Sequence, residues 1–412
     1  MNRIYRFLVL PLAVLAAAEA SGQQAPQLGE ASLDKVVKAM TLEEKAMLVV
    51  GTGMESMASG SFAVVGKVAK YVPGAAGSTF GVERLGVPPM VLADGPAGLR
   101  ISPTREGTDD TFYCTHFPIG TLLSSTWNTE LVESVGKAIG EEVHDYGVDV
   151  LLGPALNIQR HPLCGRNFEY YSEDPLLTGK IAASYVRGVQ SNGVGTSIKH
   201  FAVNNQETNR QNNDARVSER ALREIYLKGF EITVKEADPW TIMSSYNLIN
   251  GVPASENKDL LTTVLRDEWG YKGMVMTDWF GGTDPVQQVW AGNDLLEPGT
   301  MDQYNKVLEG VKNGSISMAD LDRNVKNILN LALRTPRFRN EPFSNKPDLE
   351  THAEMTRQSA LEGMVLLKND NGTLPLRNVR NVALFGYTSY NFIAGGTGSG
   401  NVNRAYTVSL LD

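Results

Sequence analysis

The sequence predicts an α/β protein: a TIM-like (β/α) barrel followed by the start of a second α/β domain. Three observations carry that reading. Short apolar runs recur over about 300 residues, each bounded by a turn and separated from the next by helical spacing. Most of these runs end on a polar or charged residue, as barrel strands do where their carboxyl ends open into loops. No dinucleotide or P-loop fingerprint follows the first run, which favours a closed barrel over an open doubly wound sheet.

In chain order, Arg3 and Arg6, the apolar run Phe7 to Ala18 and the small-x-small site Ala18-Glu19-Ala20 predict a signal peptide over residues 1–20, and hence export to the periplasm or the extracellular space. The barrel is expected over 21–334. Its first helix starts at Thr41, an N-cap with Glu44 three residues later. Residues 54–76, rich in Gly, Ala and Ser, read as an irregular connection. Strands are expected at Pro89 to Asp94, Val148 to Gly153, Gly195 to His200, Trp240 to Tyr246 and Gly273 to Asp278. Helices are expected at Pro175 to Gln190, Ser218 to Lys235, Asn257 to Glu268 and Ser317 to Leu333. Pro336, Pro342 and Pro347 mark residues 335–348 as an interdomain linker. Residues 349–412 then read as a helix, Leu349 to Met364, followed by a strand at Asn381 to Gly386 that opens the second domain.

Composition excludes several classes of function. Hydrophobic residues at 42%, charged residues at 20% and a mean hydropathy of -0.19 describe a globular protein. A net charge of -8 with no basic run argues against a nucleic-acid partner. Beyond the N-terminal signal no run of about 18 apolar residues occurs, so no stable membrane anchoring is expected. The five histidines form no i, i+4 pair or tight carboxylate cluster, so no metal and no other cofactor is expected. The Gly-rich stretch 395–400 lacks the lysine of a P-loop. Two cysteines in an oxidising compartment suggest a Cys114–Cys164 disulfide. The sequence carries no signal for oligomeric state.

The strand ends gather Asp94, Arg160, Lys199, His200, Tyr246 and Asp278, with Trp279 adjacent. A saccharide suits such a set, because charged groups bind hydroxyls in pairs and an aromatic face covers the apolar face of the ring. Lys199 and Arg160 are expected to keep nearby carboxylates ionised. Asp278 itself reads two ways, as a catalytic carboxylate at a strand end or as the cap of the next helix.

Six spaced motifs give these residues a relative. The chain resembles glycoside hydrolase family 3, the β-glucosidase group, through Leu92 to Pro96, Arg160 to Glu169, Glu173-Asp174-Pro175, Lys199-His200-Phe201, Met243 to Asn247, and Leu265 to Gly270 leading into Thr277-Asp278-Trp279. The resemblance implies a (β/α)8 barrel followed by an α/β sandwich domain of which only the truncated start is present. It implies that Asp278 is the nucleophile of a retaining exo-β-glucosidase. Asp94, Arg160, Lys199, His200, Arg210 and Tyr246 match contacts to the non-reducing-end sugar, Arg100, Met243 and Ser399 are weaker matches, and Trp279 matches an aromatic wall. Arg210 also reads as a surface charge, and Met243 as plain core.

In the β-glucosidase group the acid/base is a Glu of the second domain, expected beyond residue 412. The Asp-x-His pair of single-domain members is not found in Asn204 to Arg210. Alternatives are a β-xylosidase or other exo-glycosidase of the family, and a catalytically impaired sugar-binding fragment.

Overall fold

The computed structural model describes residues 25–52 and 70–412; the expected signal peptide and residues 54–69 of the irregular connection lie outside the described residues. Among the described residues the strands are, in chain order, β1 Gly77–Ser78, β2 Val91–Asp94, β3 Val150–Leu152, β4 Gly195–Phe201, β5 Asp214–Ala215, β6 Thr241–Ser244, β7 Leu248–Ile249, β8 Val252–Pro253 and β9 Met274–Thr277. One sheet runs in the order β1-β2-β3-β4-β6-β9. All its pairings are parallel except β1 with β2.

Two further segments close this sheet into a barrel. Met276 of β9 bridges Leu295, Leu296 bridges Val50, and the Thr52 amide donates to Ser78 of β1 at 2.9 Å. The TIM-like barrel is therefore present, with one antiparallel stave where a regular (β/α)8 barrel has a parallel one. β5, β7 and β8 form a small separate sheet.

Alternation along the strands builds the wall. Leu92, Val150, Leu152, Met243, Met274 and Met276 enter one core cluster, while Val91, Ala93, Leu151, Ile242 and Val275 enter the other. Successive side chains leave a strand on opposite faces, so β2, β3, β6 and β9 bury apolar side chains on both faces. Each Leu, Ile, Val or Met so buried contributes about 1.5–3 kcal/mol. Buried Asp–Arg pairs fix the starts of two staves. Asp149 accepts from the Val91 amide at 2.8 Å and from Arg337 Nε at 3.2 Å, and Asp294 accepts from the Val275 amide at 2.8 Å and from Arg266 Nη2 at 2.7 Å.

The helix signals are met closely. Thr41 and Glu44 form a reciprocal capping box, and Asp174 caps the helix Pro175–Gln190, with Pro175 in its first turn. The expected helix Ser218 to Lys235 is instead a short turn of helix from Glu219, a π-helical turn Leu222–Tyr226 and the helix Lys228–Ala237.

Beyond the barrel the expectations divide. The 335–348 stretch is tied down along the barrel, through Arg337 on Asp149 and the Asn345 amide on the Asp145 carbonyl at 2.9 Å. Helix Leu349–Gly363 docks through His352, whose ring nitrogens lie 2.8 Å from Glu142 Oε1 and 3.2 Å from Glu141 Oε2. The strand expected at Asn381 to Gly386 does not form, and Val382 and Phe385 are exposed. A lone apolar segment with no neighbouring strand has nothing to pair its backbone or cover its side chains. The two cysteines are free: Cys114 is sealed in the core, whereas Cys164 is half-buried on a loop near Glu207.

Candidate active site

The carboxyl ends of β2, β4, β6 and β9 surround a cavity of about 480 Å³, within the roughly 300–1,000 Å³ of small-molecule sites. Each residue arrives there for a local reason. Asp94 is the last residue of β2, and the chain then turns through Gly95 so that the Arg100 amide returns to the Asp94 carbonyl at 2.8 Å. The same turn sets Arg100 Nη1 3.1 Å from Asp94 Oδ2. Lys199 and His200 lie within β4, Met243 within β6, and Tyr246 two residues past it. All four are buried and line the cavity.

Asp278 follows β9 directly. Helix Pro285–Ala291 is capped by Asp284, whose Oδ1 accepts from the Val286 amide at 2.9 Å, so the cap role belongs to Asp284 and leaves Asp278 facing the cavity. Asp278 Oδ1 accepts from the Trp279 amide at 2.7 Å, and Oδ2 lies 3.8 Å from His200 Nε2. The Tyr246 hydroxyl faces the same carboxylate as a donor. Burial raises the Asp278 carboxyl above the usual aspartate range, while Arg166, Lys199, the Trp279 amide and Tyr246 act against that rise.

The neighbouring groups present hydrogen-bond donors and acceptors to the cavity. Burial, followed by the charges of Arg166, Lys199 and Arg210, pushes the His200 imidazole well below its ordinary value, so the ring is neutral. Its Nδ1 lies 3.3 Å from Asn157 Oδ1, which places the proton there and leaves Nε2 as an acceptor. Burial and the Asp278 charge push the Tyr246 hydroxyl up, so it remains a donor. Trp279 is 4% exposed, fixed by its Nε1 donating to the Ala76 carbonyl at 3.1 Å. The Arg210 guanidinium stacks 4.5 Å from the Tyr246 ring centroid and reaches Glu207 Oε2 at 3.1 Å. Thr397, Gly398 and Ser399 line the cavity from the C-terminal segment.

One expected residue is not brought in. Arg160 is exposed and does not line the cavity, so it cannot hold Asp278 ionised. Its loop folds into successive tight turns, with amide bonds from Cys164 to His161, Asn167 to Cys164 and Glu169 to Arg166, and Gln159 Nε2 fastens it at the Asn167 and Tyr170 carbonyls, 2.9 Å each. Those turns deliver Arg166, Phe168 and Glu169 instead. Arg166 is ion-paired to Glu169 and acts on Asp278 as a cation. A signal for it existed, since Arg166 and Glu169 stand at i, i+3 directly after Gly165. Glu207, paired with Arg210, is a further cavity residue to which the strand-end pattern gave no role.

Comparison with known proteins gives the chain its family. Residues 83–331 match the Glycosyl hydrolase family 3 N terminal domain, and residues 364–412 match the Glycosyl hydrolase family 3 C-terminal domain. Thermostable beta-glucosidase B of Acetivibrio thermocellus is 43% identical over 86% of this chain and 44% of its own length. An exo-alpha-(1->6)-L-arabinopyranosidase of Bifidobacterium longum is 42% identical over 91% of this chain and 48% of its own. The solved structure of beta-glucosidase 3B from Thermotoga neapolitana in complex with alpha-D-glucose superposes with a TM-score of 0.87 at 52% identity, over 92% of this chain and 53% of that one. The chain thus spans about half the length of the relatives it matches. With its barrel, the spaced motifs and the match over residues 83–331 all in agreement, the chain belongs to glycoside hydrolase family 3, of the β-glucosidase type.

Proposed function

We propose that this chain carries the sugar pocket and the nucleophile of an exported, retaining, exo-acting β-glycosidase that removes a non-reducing-end β-glucosyl residue from short glucosides. The observation that carries this reading is Asp278, at the end of β9, with Arg166, Lys199, His200, Tyr246 and the Asp94–Arg100 pair around one cavity. Export rests on the Arg3 to Ala20 sequence. Glucose rests on the relatives named β-glucosidases.

In this mechanism Asp94, Arg100, Lys199, His200 and Arg210 hold the sugar hydroxyls, and Trp279 covers its apolar face. Asp278 Oδ2 attacks the anomeric carbon as the glycosidic bond breaks, giving a covalent glycosyl-enzyme that water then hydrolyses. The departing oxygen needs a proton. Among the described residues the other cavity carboxylates are engaged by arginines: Asp94 by Arg100, Glu169 by Arg166 and Glu207 by Arg210. The reading therefore takes the acid/base carboxyl to lie outside the described residues.

General acid catalysis is worth typically about 10²–10⁴-fold, so leaving-group chemistry tests the proposal. Dinitrophenyl β-D-glucoside is expected to be cleaved by this chain, and cellobiose very slowly. A panel of aryl β-glucosides, β-xylosides and α-L-arabinopyranosides ranks the sugars, the last because of the Bifidobacterium longum relative. Cleavage of none of them would refute the enzymatic reading and leave a sugar-binding chain.

A further inference from the structure

The 395–400 segment reaches the sugar cavity across a seat on the barrel. An ideal Cβ on Gly395 would lie 1.8 Å from His116 Nε2, and one on Gly396 would lie 2.5 Å from Phe168 Cζ. Neither glycine has a positive φ, so space and not backbone conformation demands glycine there. On the far side, Gly400 is buried against Phe168, Val402 is 2% exposed within the barrel core, and Asn403 pairs with the barrel twice. Its carbonyl accepts from the Cys114 amide at 2.9 Å and its Nδ2 donates to the Phe112 carbonyl at 2.8 Å. Thr397, Gly398 and Ser399 hang between these two fixed points, and all three line the cavity that holds Asp278.

We infer that His116 and Phe168 are positioning residues of the sugar site: they form a seat that admits only glycine at 395 and 396, and the seat sets how far Thr397 to Ser399 reach over the bound sugar. This rests on reading the cavity as the sugar site. His116 does not line the cavity, so its influence on the sugar passes through the segment it supports. Among the described residues its Nε2 has no partner at hydrogen-bond distance, while the ring faces the Gly400 backbone, so it meets the segment at both ends.

Size complementation tests the seat. Gly395→Ala is expected to weaken glucose binding by about tenfold and raise KM for an aryl glucoside similarly, with kcat changed less, because sugar contacts move while Asp278 does not. His116→Ser, which vacates the space, is expected to restore both in the double variant. Amide hydrogen exchange of residues 397–400 is expected to rise in Gly395→Ala and to return in the double variant. Unchanged exchange and glucose affinity in Gly395→Ala, or no restoration by His116→Ser, would overturn the seat. Restored exchange in a protein whose wild type neither binds glucose nor cleaves any glycoside would overturn the sugar reading instead.

Discussion

Two neighbouring stave ends place carboxyls opposite one another in the barrel wall. Met276 bridges Leu295, so two residues further on Asp278 stands beside Glu297, and the Phe280 amide closes on the Glu297 carbonyl at 3.2 Å. Both side chains are buried, and burial raises both carboxyls. The difference lies in what faces them. Asp278 meets Arg166, Lys199, Tyr246 and the Trp279 amide at the edge of an open cavity. Glu297 is 0% exposed, sits against Gly51 and Gly77, and among the described residues has no hydrogen-bond partner on either oxygen. On the proposed mechanism, a strand-end carboxylate can serve as nucleophile only where cations and donors replace the water it has lost and a cavity admits the substrate.

The largest test of this contrast is Asp278→Asn. Removing a nucleophile is expected to lower kcat/KM on dinitrophenyl β-glucoside by on the order of 10³-fold or more. The raised carboxyl means that ionised Asp278 costs folding energy at neutral pH, so the same variant is expected to have a Tm no lower than wild type, read by calorimetry. A lost Tm together with lost activity would mark Asp278 as structural.

Next in size is the pair Arg166→Met and Arg160→Met. The first removes the cation opposing the effect of burial and is expected to cost roughly 10–100-fold in kcat/KM. The second removes an exposed charge and is expected to stay within about twofold. Equal losses would return Arg160 to the site.

The pH profile sharpens the same point. If Asp278 is the nucleophile it must be ionised, so activity is expected to be lost as pH falls through its folded-state pKa, and its raised carboxyl places that acid limb above the ordinary aspartate range of about 3.9. Arg166→Met is expected to move the limb to still higher pH in kcat/KM.

The smallest effect is at Glu297. Glu297→Gln keeps shape and neutrality and is expected to leave activity within about twofold. Burial raises the folded-state pKa, so wild-type stability falls as pH rises from the unfolded value near 4.3 towards the folded one. The Tm advantage of the Gln variant should therefore grow with pH, and a constant difference would show that Glu297 has a hidden partner.

Much of this site was legible because apolar runs that stop abruptly at polar residues are visible in the sequence. Asp94, Lys199, His200, Tyr246 and Asp278 stand at such points and share the cavity. Arg166 was separable from Arg160 only through its i, i+3 partner Glu169, since order along a loop says nothing about which residue successive turns point inward. Glu297 escaped because its stave, held by single bridges at Leu295 and Leu296, is too short to show a period. At 381–386 the pattern of a strand was present, and yet a strand needs a neighbour that the described residues do not supply.

The most direct measurement is covalent trapping with 2,4-dinitrophenyl 2-deoxy-2-fluoro-β-D-glucoside, whose good leaving group needs little protonation and whose fluorine slows turnover of the intermediate. Peptide mass spectrometry is expected to find one glycosyl adduct, on Asp278. An adduct on Glu169, Glu207 or Asp94, or glucose binding with no adduct after prolonged exposure, would contradict the assignment of Asp278 as nucleophile.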